Sequence, residues 1–342
     1  MKPQSELQGV KKVTPKQLKL NLFELDPLLD KNYSNTIEIY DLAGKFIYDK
    51  HSKSVAQFGS AEEMEFSRTV SYQETNIHIS VTAANIERTI DGKKTRVFVF
   101  PGAREEIIED VLRKMATESN GASAYQERDA QNELLGVEFS YYEIHNELKS
   151  IGRTFSYQEI YESLDIMNRS VLSIQSENGA ISLAAPFFPV VASANKQTDD
   201  DTARAVVCFH PMVANAIQCF KFRRYNYVQA LNLRTNYARL TYKRLCHRWV
   251  QASPEHPYSI LLSTLIKAIK APYPNLYQDK ALFTKVLNEL QSENILSKWT
   301  STPKKKGRKI IDWRFDLYAT KDFTKQMAGN NKVNKRLQNT DR

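Results

Sequence analysis

The stretch NLYQDKALFTKVLNELQSENILSKWTSTPKKKGRKIIDWRFDLY, residues 275–318, reads as helix, strand, basic turn and strand in close succession. Leu282, Val286, Leu287 and Leu290 fall on one face at helical spacing after Asn275, which predicts a helix over 276–292. Ile295 to Ser301 and Ile310 to Tyr318 are β-type runs separated by the basic loop Pro303 to Lys309. Upstream, Ser259 is placed to cap a helix carrying Leu262, Leu265, Ile266 and Ile269, which Pro272 and Pro274 terminate. Before it, Ala238, Tyr242, Leu245 and Trp249 mark one face of a long helix from Asn236 to Gln251, ended by Pro254 and Pro257.

The preceding half repeats this order. Ile107, Ile108, Val111, Leu112 and Met115 form the apolar stripe of a helix over Ala103 to Ser119, with Glu105 and Glu106 in its first turn. Residues 119–136 read as a polar link. Ser140 with Glu143 and Ser156 with Glu159 have capping-box spacing, ahead of Ile144 and Leu148 and of Ile160, Leu164 and Met167, and Gly152 breaks the chain between the two helices. Val171 to Ile174, the turn Ser176 to Gly179, and Ile181 to Val191 then read as a hairpin. Helix, turn, helix and β-hairpin is the winged-helix order, and its recurrence predicts an α+β chain with two tandem winged-helix domains.

The expected boundaries are 101–195 and 205–320, with an arm and β-rich region over 1–100 and a disordered tail over 321–342. Within the first hundred residues, 1–33 read as an extended arm, and Thr36 to Tyr40, Phe46 to Tyr48 and Ile77 to Val81 as strands. Asp91-Gly92 makes a tight turn between Asn85 to Ile90 and Arg96 to Phe100, and Pro101-Gly102 stops the strands.

The charge is divided unequally. Residues 1–219 hold 23 Lys and Arg against 31 Asp and Glu, whereas residues 220–342 hold 25 against 8. Cations gathered on one half repel one another, so that half is matched to a polyanion: nucleic acid, an anionic membrane surface or an acidic partner. No apolar run reaches bilayer length and the first twenty residues have no apolar core of a signal peptide, so a cytoplasmic protein with no membrane partner is expected. Cys208, Cys219 and Cys246 have no metal-ligand spacing and read as reduced thiols.

Three sets of residues are matched to DNA. On the helix over 276–292, Gln278, Lys280, Thr284, Lys285, Asn288 and Gln291 lie off the apolar stripe, where amide, hydroxyl and ammonium groups can bond base edges in a major groove. Lys304, Lys305, Lys306, Arg308 and Lys309 put five cations on the hairpin loop, suited to phosphates. Arg239 with Lys243, and Arg244 with Arg248, are like charges four residues apart on the long helix, an arrangement that an outside anion would relieve. Ordinary solvated faces account for the same residue types. In the first half, Glu159, Glu162 and Asp165 beside Gln158, Asn168 and Arg169 are poor neighbours for phosphate, so that domain is expected to contact protein or touch DNA weakly.

Enzyme signatures are weak. Asp91-Gly92-Lys93-Lys94-Thr95 lacks the upstream glycine of a phosphate-binding loop, and neither His78 nor the pair Cys208 and His210 belongs to a metal cluster. No cofactor, metal or catalytic residue is expected, and the paired histidines of a metal-dependent nicking site are missing.

Phe100-Pro101-Gly102-Ala103-Arg104-Glu105-Glu106, Ile151 to Ile160, and Phe222-Arg223-Arg224-Tyr225-Asn226-Tyr227 followed by Tyr242-Lys243-Arg244-Leu245 resemble plasmid replication initiators of the RepA type. The resemblance covers residues 97–320. It implies a non-enzymatic protein that binds repeated double-stranded origin sites, opens nearby DNA and recruits a host initiator and the replicative helicase. In that family the second winged helix makes the main contact, and the first contributes dimerisation and auxiliary DNA binding. A winged-helix repressor and a DNA-processing enzyme such as a nickase or primase are the rival readings.

Overall fold

The computed structural model describes residues 10–12, 32–48, 64–72, 75–90, 92–117, 122–127, 133–193, 204–219, 221–269 and 275–340. It contains ten helices and several antiparallel sheets among those residues. The chain divides into two compact units, the first comprising 1–34, 45–69 and 77–219, the second 35–44, 70–76 and 220–342.

In the first unit, helix Ala103–Thr117 buries Ile107, Ile108, Val111 and Leu112 as its stripe predicts, but it also buries Glu105, Glu106, Glu109, Asp110, Arg113 and Lys114. A buried charge is tolerable only when paired. Lys45 meets Glu109 at 3.0 Å, and Lys114 meets Glu147 at 2.8 Å. Glu105 accepts from the Gly102 N–H at 2.8 Å, the Ser163 hydroxyl at 2.6 Å and Arg104 at 3.1 Å. Helices Tyr141–Ser150 and Tyr157–Arg169 begin at Ser140 and Ser156 with both reciprocal bonds of the capping box, and Gly152 between them sits at φ 72°, where other residues are strained.

A five-stranded sheet runs in the order Val10–Lys12, Ala122–Glu127, Glu133–Ser140, Arg204–Cys208, Val190–Ser193. The expected polar link over 119–136 is therefore corrected: Leu135, Val137 and Phe139 alternate inward, and that period of two makes a strand. Ser182–Pro186, Val171–Ser176, Thr75–Thr82 and Glu65–Tyr72 form a second sheet. The Asp91-Gly92 hairpin is found as Ala84–Ile90 paired with Lys93–Val99, Gly92 at φ 75°. Residue 91 and most of the arm over 1–33 lie outside the described residues. The expected strand Thr36 to Tyr40 is also corrected. The strand ends at Thr36 and helix Glu38–Leu42 follows, because Asp41 accepts from the Thr36 hydroxyl at 2.9 Å and the Ile37 N–H at 2.6 Å. Phe46 to Tyr48 is no strand; the Phe46 ring packs on Phe187 at 5.5 Å.

In the second unit, helices Asn236–Arg248, Leu262–Ile269 and Leu276–Ser292 accompany a sheet ordered Tyr258–Leu261, Lys309–Ala319, Leu296–Lys306. Leu240, Leu245, Leu265, Ile266, Phe283, Val286, Leu287, Leu290, Phe315 and Leu317 are buried there. Ser259 does not cap a helix. It lies in strand Tyr258–Leu261 with its hydroxyl on Asp316, and the start of helix Leu262–Ile269 is held by Asp312, which accepts from the Ser263 N–H at 3.2 Å and its hydroxyl at 2.6 Å.

The expected disordered tail is a helix, Lys321–Thr340. Phe323, Met327 and Asn330 are buried on one side, and three of the asparagines that made the composition look disordered are donors. Asn330 bonds the Arg224 carbonyl at 2.7 Å, Asn331 the Val250 carbonyl at 2.7 Å, and Asn334 the Phe222 carbonyl at 3.1 Å. Phe323→Ala is expected to cost about 3 to 5 kcal/mol, which denaturant titration of the variant measures.

His210 is buried and caps helix Pro211–Gln218, its Nδ1 accepting from the Met212 N–H at 3.2 Å. Burial, with Lys45 adding to it, pushes its pKa down from 6.5 to about 4. Unfolding lets the ring take a proton at the higher value, so this stability is complete above pH 6.5 and is lost as pH falls toward 4, about 2 kcal/mol of it by pH 5. His210→Asn keeps a capping oxygen and cannot titrate. Denaturant melts at pH 7 and pH 5 are expected to differ less for this variant than for the wild type.

Candidate nucleic-acid interface

Strands Leu296–Lys306 and Lys309–Ala319 pair from Leu296 opposite Ala319 to Lys306 opposite Lys309. Gly307, at φ 61°, lets the two-residue connection reverse tightly. Lys304, Lys305, Lys306, Arg308 and Lys309 are all exposed on this tip, and among the described residues none of the five has an ion-pair partner. A register shift between Lys304 and Lys305 leaves Ile311 as an extra residue, and its side chain is exposed.

Helix Leu276–Ser292 supplies the second surface. Asn275 caps it, its side chain accepting from the Tyr277 N–H at 2.9 Å. Gln278, Lys285, Asn288 and Gln291 are exposed, and Thr284 is half-buried among them. The helix has two acids, and neither shares that face freely. Asp279 is 1% exposed. Glu289 accepts from the Thr235 N–H at 3.0 Å and its hydroxyl at 2.7 Å, and from the Arg234 N–H. Lys280 departs from expectation: its ammonium lies 3.4 Å from the centre of the Trp313 ring, a cation–π contact that draws it toward the sheet. Asn288 Oδ1 accepts from the indole of Trp299 at 3.2 Å, and Gln291 donates to the Ser297 carbonyl at 3.2 Å. Tyr277, 57% exposed at the helix start, escaped the sequence reading because an aromatic beside an apolar stripe counts as core.

The four cations of helix Asn236–Arg248 are corrected. Arg239 is buried and bonds the Leu233 carbonyl at 3.1 Å and the Asn236 side chain. Lys243 is buried with its ammonium 5.2 Å from the Tyr225 ring centre. Arg244 is half-buried, and desolvation lowers its pKa. Arg248 pairs with Glu38 and lies 5.5 Å over the Tyr72 ring. The anion beside Arg248 is internal, and it comes from a residue 210 positions upstream.

Among its described residues the first unit offers no comparable face. Ile166 of helix Tyr157–Arg169 is buried with Ala84, Ile86, Val97 and Val99 of the Ala84–Val99 hairpin. Glu162 accepts from Arg88 at 2.8 and 3.0 Å and from Arg104 at 2.6 Å. Burial alone would raise its carboxyl, but the bonds and charges of the two arginines hold it below the ordinary range. Asp165 pairs with Arg169 at 2.6 Å, and Glu159 is held in its capping box. The hairpin expected as a wing is likewise changed: Val171–Ser176 pairs with Thr75–Thr82 on its other side, and Val190–Ser193 belongs to another sheet.

Among the described residues no group of three or more His, Cys, Asp or Glu is placed to hold a metal ion, and no helix is long and apolar enough to cross a membrane. No protein-family profile matches the chain, and no curated protein is similar to it in sequence. Solved structures similar to it include a selenomethionine derivative of domains 2 and 3 of RctB, at 12% identity over 83% of this chain and 99% of that one, TM-score 0.48. A second structure of RctB domains 2 and 3 has 12% identity over 82% and 98%, TM-score 0.44. Pi initiator protein in complex with iteron DNA has 14% identity over 64% and 91%, TM-score 0.45.

Replacing Lys304, Lys305 and Lys306 together by Ala is expected to weaken binding to all duplexes alike and to reduce the slope of log K against log salt by about 3. Titration at several salt concentrations measures it, and an unchanged slope removes these lysines from the phosphate contact.

Proposed function

We propose that the chain is a non-enzymatic replication initiator that binds repeated double-stranded origin sites through its second unit. The observation that carries the DNA-binding part is the pairing of two surfaces. One is a hairpin tip with five exposed cations that have no ion pair among the described residues; the other is a helix face whose carboxylates are turned to other work. We read the three helices and three-stranded sheet as a winged helix, with Leu276–Ser292 entering the major groove and the tip lying along phosphates. The first unit, whose corresponding helix is covered by a hairpin, is assigned to self-association and auxiliary contact. Opening of the origin, dimerisation and recruitment of host proteins follow from the resemblance of the motifs at 100–106, 151–160 and 222–227 to plasmid initiators.

Protection mapping of the DNA flanking the coding gene tests this reading. Several directly repeated protected sites beside an A·T-rich stretch are expected, because A·T pairs open most readily. A single palindromic site identifies a repressor. Divalent-metal-dependent breakage of supercoiled DNA carrying the same region identifies an enzyme. The separation of units makes the whole chain the right reagent, since a fragment starting at residue 220 lacks 35–44 and 70–76 of the second unit.

A further inference from the structure

We infer that Trp299 fixes Asn288 as a hydrogen-bond donor, so that this position of the DNA site is read as guanine; the inference rests on the DNA-binding reading above. Indole N–H is a donor with no acceptor capacity, so the atom of Asn288 that meets Trp299 Nε1 at 3.2 Å is the carbonyl Oδ1. The amide nitrogen is then the half left over, and among the described residues it has no partner. The indole does not swing away readily. Trp299 faces Leu317 in the strand register, and its ring meets the fully buried Phe315 edge-on at 6.0 Å.

The consequence lies in the major-groove code. An asparagine reads adenine with both halves of its amide, Oδ1 accepting from N6 and Nδ2 donating to N7. Guanine presents two neighbouring acceptors, N7 and O6, and asks only for donors. With one lone pair of Oδ1 taken by the indole, the two N–H groups of Nδ2 are the part of the amide left wholly unengaged, which matches guanine better than adenine. Trp299 is a positioning residue here, acting on the base only through Asn288.

The experiment selects binding sites from a random duplex library with the full-length wild type, N288A, N288D and W299F. The N288D carboxylate still accepts from the indole but has no N–H to donate. The phenylalanine of W299F keeps a ring against Phe315 and removes the N–H alone. Wild type is expected to enrich a guanine at one position, and N288A and N288D to lose that preference. W299F is expected to drift there toward adenine while binding random duplex as wild type does. Replacing the guanine by 7-deazaguanine is expected to weaken wild type about tenfold and N288A by less than about twofold. The inference is overturned if W299F keeps the guanine preference, if the position lost in N288A is adenine, or if wild type ignores 7-deazaguanine there. Should W299F unfold early, N288D and the 7-deazaguanine comparison decide alone. A wild type that enriches no duplex overturns the DNA-binding reading itself, a separate result.

Discussion

Glu289 accepts from the backbone N–H groups of Arg234 and Thr235 and from the Thr235 hydroxyl, at the point where helix Asn236–Arg248 begins. One carboxylate thereby fixes where two helices meet. A helix start leaves N–H groups without intrahelical partners and carries a partial positive charge, so an acid brought in from a second helix satisfies both. Gln229 adds a bond to the Glu293 carbonyl at 2.8 Å, and its own Oε1 takes the Tyr242 hydroxyl at 3.1 Å. The exposed face of helix Leu276–Ser292 is consequently oriented by contacts at its flank and at its C-terminal end.

The same constraint governs the first unit with the opposite result. Glu105 and Glu162 gather Gly102, Arg88, Arg104 and Ser163, which joins the Ala84–Val99 hairpin, the start of helix Ala103–Thr117 and helix Tyr157–Arg169. There the acids recruit arginines across a face and cover it. In the second unit the two acids of helix Leu276–Ser292 are buried or taken by the start of another helix, and the hairpin tip keeps its cations exposed. Two regions with a similar sequence of helices thus differ in what they present, and the difference comes from where each carboxylate finds its donors.

Much of the second unit was legible because local rules agreed with one another. The stripe Val286, Leu287 and Leu290 and the Lys304 to Lys309 turn each state their place within a dozen residues. The capping boxes at Ser140 and Ser156 were equally plain. What failed was non-local. Arg248 looks like a free cation until Glu38 is brought to it, and Arg239 and Lys243 look solvent-facing because charge, read locally, implies exposure. The tail failed on composition, since asparagine counts toward disorder unless a carbonyl waits for its amide. Ser259 failed because Asp312, on a strand some fifty residues later, took over the support of the helix start.

The second unit is assembled from pieces made at widely separated times. Residues 35–44 and 70–76 leave the ribosome early, whereas helix Asn236–Arg248, whose Arg248 Glu38 pairs with, and the closing helix Lys321–Thr340 come late. Contacts between distant segments form slowly because the intervening chain must first be ordered. The nascent polypeptide therefore carries an unfinished unit through most of its translation. A chain truncated before residue 321 lacks the helix whose Phe323 and Met327 close that core, and it exposes the apolar surfaces they cover to chaperones and proteases. The hairpin tip ends at Lys309, twelve residues before that closing helix begins at Lys321, so a ribosome delivers the basic surface and the means to hold it in place almost together.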